Sequence, residues 1–572
     1  MENNRRFVLA IALTLLVIVA TQFLFPTPPA PARRAAADSA TATTATPTPP
    51  PATAAPAAPA APVPTVGALP DSAGAVAPAA PAAAAAETAL VAGSRAAYQV
   101  SSVGGALVGA AMRSHRTLAP DDSGAAQLAR PGEALLSYRV VVPGDTVALA
   151  RVPMRLAQTG NTVQLEGTAT TRAGRAIPVS ITYSFVPDSY VVRVRGTVQV
   201  AGPAFLLVDL PPSIAATERD TLDHYNQLAY AWKPANDDAS SVSFGSLDPG
   251  ERELIAEPIA WAVAKSKYFL LGVLAPPGQR FDEFSVTGGV RRASVATQAQ
   301  GTVVAPLANG GFAFDAYAGP QEWRRLVAMG REFETSNPYG GWLQGIVQPF
   351  ATIVIRLLLW MHDALKLSYG WVLIALGVLV RLLLWPLQQN AMRSQIRMQR
   401  VQPELQLVQT KYKNDPQRLQ QEMMKVYAEH GVSPFAALTG CLPMLLPLPI
   451  FFALFFVFQN TIEFRGVPFF YLPDISLKDP YYVMPVLVAG TSFLLSWIGM
   501  RAAPPNPQTQ MITYMMPAMF LFFFLNVASG LNLYYLVQNV VALPQQWLLA
   551  RERGKAPPPT VQGTPVTKRK VG

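Results

Sequence analysis

The chain has 572 residues, a formal net charge of +10, 51% hydrophobic residues and only 14% charged ones. That length excludes a single domain, and the balance is that of a membrane protein, although alanine-rich stretches near the N-terminus inflate the hydrophobic share. Basic residues sit mostly beside apolar runs, so the positive charge reads as membrane orientation rather than as recognition of a specific nucleic acid sequence.

One cysteine, Cys441, cannot form an internal disulfide. There is no Cys/His metal spacing and no Walker-type glycine loop.

Residues 1–25 open with Arg5-Arg6 and an apolar run, Phe7 to Phe25, closed by Pro26. A cleaved signal peptide would explain the charge and place Ala30 or Ala32 near a cleavage site, but such cores are roughly 7–15 residues long. This run is nearer the on the order of 20 residues that a bilayer requires, which favours an uncleaved transmembrane anchor. Arg5 and Arg6 keep its N-terminus in the cytoplasm. Residues 26–89 are proline, alanine and threonine with almost no large apolar side chains, and read as a disordered, semi-extended linker.

From about 90 to 335 the period becomes two. Ile177, Val179, Ile181, Tyr183 and Phe185 alternate with small polar residues. A turn at Val186-Pro187-Asp188-Ser189 follows, then Val192, Val194, Val198 and Val200 alternate with Arg193, Arg195, Thr197 and Gln199. This predicts a hairpin with one buried face. Similar runs at Tyr138–Val142 and Tyr268–Leu274 extend the pattern to an all-β sandwich domain. His115 and His224 stand alone in it, with no nucleophile or paired carboxylate to serve, and read as structural.

Residues 340–367 turn helical, with Leu343, Val347, Phe350, Val354, Leu357 and Met361 on one stripe. Arg356, His362, Asp363 and Lys366 interrupt the apolar run. An amphipathic helix at the membrane surface fits better than a tilted span.

Residues 368–553 hold five apolar runs near spanning length: Trp371–Leu387, Leu442–Phe458, Tyr481–Met500, Met511–Val527 and Leu531–Leu549. With the N-terminal run the chain is a polytopic α-helical membrane protein of six spans. Arg393, Arg397, Arg400, Lys411, Lys413, Arg418 and Lys425 crowd one loop; Arg501 begins another; Arg551, Arg553, Lys555, Lys568, Arg569 and Lys570 fill the end of the chain, whose basic tail is 554–572. The opposite loop, 459–480, has only Arg465 and Lys478. Positive-inside then places both termini in the cytoplasm and the β domain outside.

The cytoplasmic loop, 388–432, reads as a helical hairpin. Val401, Leu405, Val408 and Tyr412 form one stripe; Leu419, Met423, Val426 and Tyr427 form another. Asp415 suits the cap of the second helix, Pro416 its first position and Gly431 its close. It is either a solvated spacer or a docking arm for ribosomes or nascent chains.

The five spans of the bundle carry no Lys, Asp, Glu or His, and one Arg, Arg381. A central arginine costs about 2.5–3.5 kcal/mol on insertion scales. Either it snorkels to the cytoplasmic headgroups, or it faces a wet cavity. Gly377, one turn earlier, leaves room beside it. Asn532, Tyr535 and Asn539, with Gln538 adjacent, give the last span a polar face that would line the same cavity or bond neighbouring helices. Phe451 and Phe455 in one span, Met515 and Phe520 in another, belong to purely apolar, adaptable surfaces.

Arg381 with Leu384-Trp385-Pro386-Leu387, then Met398-Gln399-Arg400-Val401-Gln402-Pro403-Glu404, resembles the YidC/Oxa family of membrane protein insertases. So do Gln421-Glu422-Met423-Met424, Gly440-Cys441-Leu442-Pro443, Pro449-Ile450-Phe451, Asp479-Pro480-Tyr481-Tyr482 and Ser529-Gly530-Leu531-Asn532-Leu533-Tyr534-Tyr535. Trp261, Lys267-Tyr268-Phe269-Leu270 and Tyr317-Ala318-Gly319-Pro320 resemble the periplasmic domain of the family's long form. The loop Ser433 to Cys441 is longer than the family's usual turn, and Pro447 stands where relatives are often polar.

The resemblance implies a five-helix insertase core in the bacterial inner membrane, with a hydrophilic groove open to cytoplasm and lipid and closed to the outside. Arg381, Gly377, Asn532, Tyr535, Gln538 and Asn539 would line the groove, and Phe451, Phe455, Met515 and Phe520 the greasy slide beside it. No covalent step is implied, and no metal, cofactor or nucleotide. Implied partners are nascent membrane proteins, the ribosome, the Sec translocon and membrane lipids. A polytopic transporter or channel is the alternative, but it would show several intramembrane ionisable groups or inverted repeats. An intramembrane protease would need a Ser/His pair, paired aspartates or a zinc motif, and the spans have none.

Overall fold

The computed structural model describes residues 86–120, 122–200, 202–292, 295–339, 344–413, 415–429, 448–501 and 507–554. All belong to one compact unit, residues 80–572. The N-terminal span, the linker up to residue 85, Gly431, the 433–441 loop with Cys441, Pro443, Met444, Pro447 and the tail beyond Gly554 lie outside the described residues.

The β domain begins with a strand at Thr88–Ala92, two residues before the expected boundary, and its last strand is Gly311–Pro320. Nine-, six-, four- and two-stranded antiparallel sheets make it up, with one short α-helix, α1 (Thr221–Asn226). The predicted hairpin is its middle: Ala176–Phe185 pairs with Val191–Val198 in the register Phe185↔Val192 and Tyr183↔Val194. Asp188 takes a positive φ of 54° in the turn, a conformation Asp tolerates better than most residues. Ile177, Val179, Ile181, Tyr183 and Phe185 are all buried, as the alternation requires.

Two sheets face each other across an aromatic core. The Tyr138 and Tyr183 hydroxyls, from the six- and nine-stranded sheets, lie 2.7 Å apart. Tyr230 and Trp232 of the larger sheet meet Phe284 of the smaller at 6.1 and 5.8 Å between ring centroids. Tyr230 Oη donates to the carbonyls of Pro211 and Ala299, so its burial leaves no lone hydroxyl. This is a β-sandwich. His224 is buried with Nε2 3.0 Å from the Ile214 carbonyl oxygen, and burial lowers its pKa. His115 lies 3.0 Å from Ser114 Oγ and 3.8 Å from Glu322.

Helix α2 (Trp323–Met329) leads to α3 (Gln344–Leu365). By length and composition α3 is apolar enough to cross a membrane. Yet it touches the β-domain side at both ends. Gln344 Nε2 donates to the Ala239 carbonyl at 2.9 Å, and the Tyr339 amide donates to Gln348 Oε1 at 2.7 Å. Farther along, Arg356 sits 5.3 Å from the Trp323 ring centroid, and Arg324 pairs with Asp363. Those contacts are spread over about 28 Å of helix axis.

The bundle follows. Helix α4 (Tyr369–Lys411) contains the first expected core span and the first arm of the expected hairpin in one piece of 43 residues, about 65 Å long. The expected boundary at residue 388 is only a change of polarity; Gln, Met, Arg and Leu beyond it are strong helix formers, so the backbone continues. Helix α5 (Pro416–Glu429) is the second arm. The Arg418 amide donates to Asp415 Oδ1 at 3.1 Å, so Asp415 is the cap and Pro416 the first helical residue. Val401, Leu405, Val426 and Tyr427 bury one another, with Val408 and Met423 against them. Helices α6 (Leu448–Asn460), α7 (Val483–Arg501), α8 (Pro507–Phe524) and α9 (Ser529–Gly554) complete the bundle.

Glu463, just after α6, packs near Glu322, Arg324, Tyr339 and Tyr369. Burial pushes its carboxyl up to about 7, from 4.5 for an ordinary glutamate. The folded state therefore holds a proton that the unfolded chain releases first. Stability is expected to fall as pH rises between those two values, and Glu463→Gln should flatten the slope. Thermal midpoints of both proteins at about pH 5 and about pH 8 check this.

Candidate functional site

Helices α4 and α9 run parallel, because Leu373 meets Gly530, Gly377 meets Tyr534 and Val537, and Arg381 meets Gln545 in ascending order. Arg381 lies 12 residues into α4, about 18 Å along its axis.

The guanidinium is half-buried. Its Nη2 donates to Gln545 Oε1 at 2.9 Å. Arg381 Nε and Gln545 Nε2 are both buried with no partner among the described residues. Leftover donors of this kind are expensive in hydrocarbon, so they call for water or an acceptor from another chain. One turn back, Gln538 Nε2 donates to the Gly377 carbonyl at 2.8 Å and to Tyr534 Oη at 2.9 Å. The result is a polar seam: Gly377, Tyr534, Gln538, Arg381 and Gln545.

Gly377 serves this seam differently from the expectation. A Cβ there would stand 3.0 Å from Val537 Cγ1, so the glycine lets α9 approach rather than leaving room beside the guanidinium. The remaining polar residues of α9 are divided among other neighbours. Asn539 Nδ2 donates to Ser492 Oγ at 2.8 Å and Thr491 Oγ1 at 3.1 Å, both on α7. Asn532, fully buried, donates to the Phe524 carbonyl at the end of α8. Tyr535 packs among Phe451, Phe524 and Tyr534. Sharing a helix face did not bring them to one cavity, because a central helix is surrounded on every side.

Gln545 is the residue that sequence reasoning missed. Its signal was present: it follows Gln538 by seven residues, two turns on the same face.

The apolar residues divide as well. Phe455 is buried, 4% exposed, and with Phe451 packs on Phe523. Phe520 stacks edge-on against Phe524. Met515 is exposed, and Met519 and Phe522 join it at helical spacing to form the outward stripe of α8.

The profile of the family described as 60Kd inner membrane protein matches residues 360–556, and that described as YidC periplasmic domain matches 91–353. A membrane protein insertase YidC of Anaeromyxobacter sp. (strain Fw109-5) is 32% identical over 426 residues, 73% of this chain and 74% of that protein. One of Chlorobium phaeovibrioides is 32% identical, over 67% of this chain and 68% of that protein. The alignment with a third, of Syntrophus aciditrophicus, is also 32% identical but covers 51% of this chain and 52% of that protein. A crystal structure of an active YidC insertase aligns at 17% identity over 80% of this chain and 92% of that one, with a TM-score of 0.32.

Proposed function

Because the chain belongs to the YidC family of membrane protein insertases, we propose that its helical bundle passes the polar segments of nascent membrane proteins across the lipid along the Arg381 seam. It is an inner-membrane insertase with a periplasmic domain, and the family is not one of enzymes. This chain, in our reading, makes no covalent change in its substrate and needs no cofactor.

The observation that carries the mechanism is the pair of buried, unpartnered donors, Arg381 Nε and Gln545 Nε2. They offer an extracytoplasmic segment what water would otherwise supply, which lowers the cost of its entry. Acidic residues in that segment are attracted to the guanidinium as well. The apolar part of the substrate leaves along the exposed stripe of Met515, Met519 and Phe522, where contacts are adaptable and nonspecific. Substrates are nascent membrane proteins; the ribosome, the Sec translocon and membrane lipids are the further partners. The α4–α5 hairpin is the natural docking arm on the cytoplasmic side.

The topology reading is N-in and C-in. The basic loops support it, and so does the parallel course of α4 and α9. Helix α3 lies on the outer membrane surface: a helix that crossed the bilayer would leave the β domain behind, whereas α3 contacts it or α2 from Gln344 to Asp363.

Purified full-length protein in liposomes is expected to insert a short single- or double-span substrate without ATP. Protease protection of the inserted segment checks this, and failure with every such substrate by a folded protein would refute the reading. A transporter or channel is not favoured: the expected spans carry no second charge to couple an ion.

A further inference from the structure

Arg465 is one of only two basic residues in the loop that the topology places outside. It is not at the surface. Its side chain is 5% exposed and that of its partner, Glu218 of the β domain, 6%. Arg465 Nε donates to Glu218 Oε1 at 2.8 Å, Nη1 to the Arg116 carbonyl at 2.8 Å, and Nη2 to the Thr217 carbonyl at 3.1 Å. Thr217 Oγ1 adds a donor to Glu218 at 2.9 Å. The guanidinium lies over Phe269 and Tyr268, at 5.5 and 5.9 Å from the ring centroids. Three residues earlier, Ile462 is part of the β-domain core itself.

The chain immediately after Arg465 is tied to the helices instead. Asp474 accepts from the amides of Gly466 and Ser476 at 2.9 and 2.8 Å. The Leu477 and Ile475 carbonyls accept from Ser529 and Gly530, the first residues of α9, at 2.7 and 2.8 Å. Asp479 accepts from the amides of Tyr481 and Met484 where α7 begins. One arginine thus stands between the β domain and the segment that closes the outer ends of two bundle helices.

We propose that Arg465 is a positioning residue, the latch through which the β domain holds the segment 466–479 against the outer ends of α7 and α9 and keeps that end of the bundle shut. A buried ion pair adds little net stability over well-packed apolar residues. Its directional bonds do set one orientation of the loop on the domain, which apolar packing would not. The inference rests on the insertase reading, because a groove closed to the outside is what gives the latch a purpose.

The test reads the loop and not insertion. In a Cys441→Ser background, single cysteines replace Ser476, 2% exposed in the loop, or Ser213, 1% exposed in the β domain. Full-length protein in nanodiscs is labelled with a membrane-impermeant maleimide, with and without the paired change Arg465→Met and Glu218→Gln, which leaves no lone buried charge. Cysteine 476 is expected to react on the order of tenfold faster when the latch is gone, while cysteine 213 stays protected, as for a local opening. No acceleration at 476 would overturn the proposal. Equal acceleration at both sites would overturn it too, because the pair would then hold the β fold and not the loop. Neither outcome bears on whether the protein inserts substrates.

Discussion

Arg381→Ala and Gln545→Leu are each expected to slow insertion of a single-span substrate with an acidic translocated segment by roughly tenfold or more, the worth of a hydrogen bond to a charged group. The double variant should be little worse than either single one. Arg381 Nη2 and Gln545 Oε1 are 2.9 Å apart, and each side chain orders the other. Without Gln545 the guanidinium loses its one protein acceptor among the described bonds and is freed to reach toward the headgroups, out of the seam. Without Arg381 the buried amide of Gln545 is unpartnered on both atoms. A double-mutant cycle on insertion rates measures the coupling. Full additivity would mean the two act separately. A Gln545→Leu variant as fast as the parent would remove Gln545 from the seam. Substrates lacking acidic residues should respond less to both changes.

Asp479→Ala is expected to cost about 2–4 kcal/mol of stability, the sum of a lost helix cap and a stranded buried amide, that of Met484. The carboxylate is 2% exposed. Oδ1 accepts from the Tyr481 amide at 2.9 Å; Oδ2 accepts from the Met484 amide and from Tyr471 Oη, both at 2.7 Å. Alanine leaves all three donors without this acceptor, and the Met484 amide, buried at the start of α7, is shielded from the water that could replace it. Asparagine keeps one oxygen and should lose about half as much. Thermal midpoints of the purified protein compare the three. An unchanged midpoint for Asp479→Ala would mean the cap is replaced by other groups.

The β hairpin at 176–198 was legible because its alternation is a local code: every second side chain must be buried, whatever the rest of the sheet does. The two stripes of the α4–α5 hairpin and its Asp415-Pro416 start were legible for the same reason. The boundary at residue 388 was not. Polarity changes there, but a helix is held by backbone bonds that continue through the change. Helix α3 shows the opposite case. Its composition permits a span, and only its contacts with the β domain and α2 argue against one.

By itself the sequence determined the class of protein, the number of apolar runs, the side of the membrane each loop favours, and the isolation of one arginine among them. Those follow from counts and periods, because hydrocarbon and strand pleat act on each segment separately. Only the tertiary structure decided what that arginine touches. Asn532, Gln538 and Asn539 have similar chemistry on one helix, yet they bond to α8, α4 and α7 respectively. Gln545, unremarked in the sequence, is the residue that meets Arg381. Partner choice depends on how neighbouring helices are rotated and how closely a glycine such as Gly377 lets them approach, and no single helix encodes that.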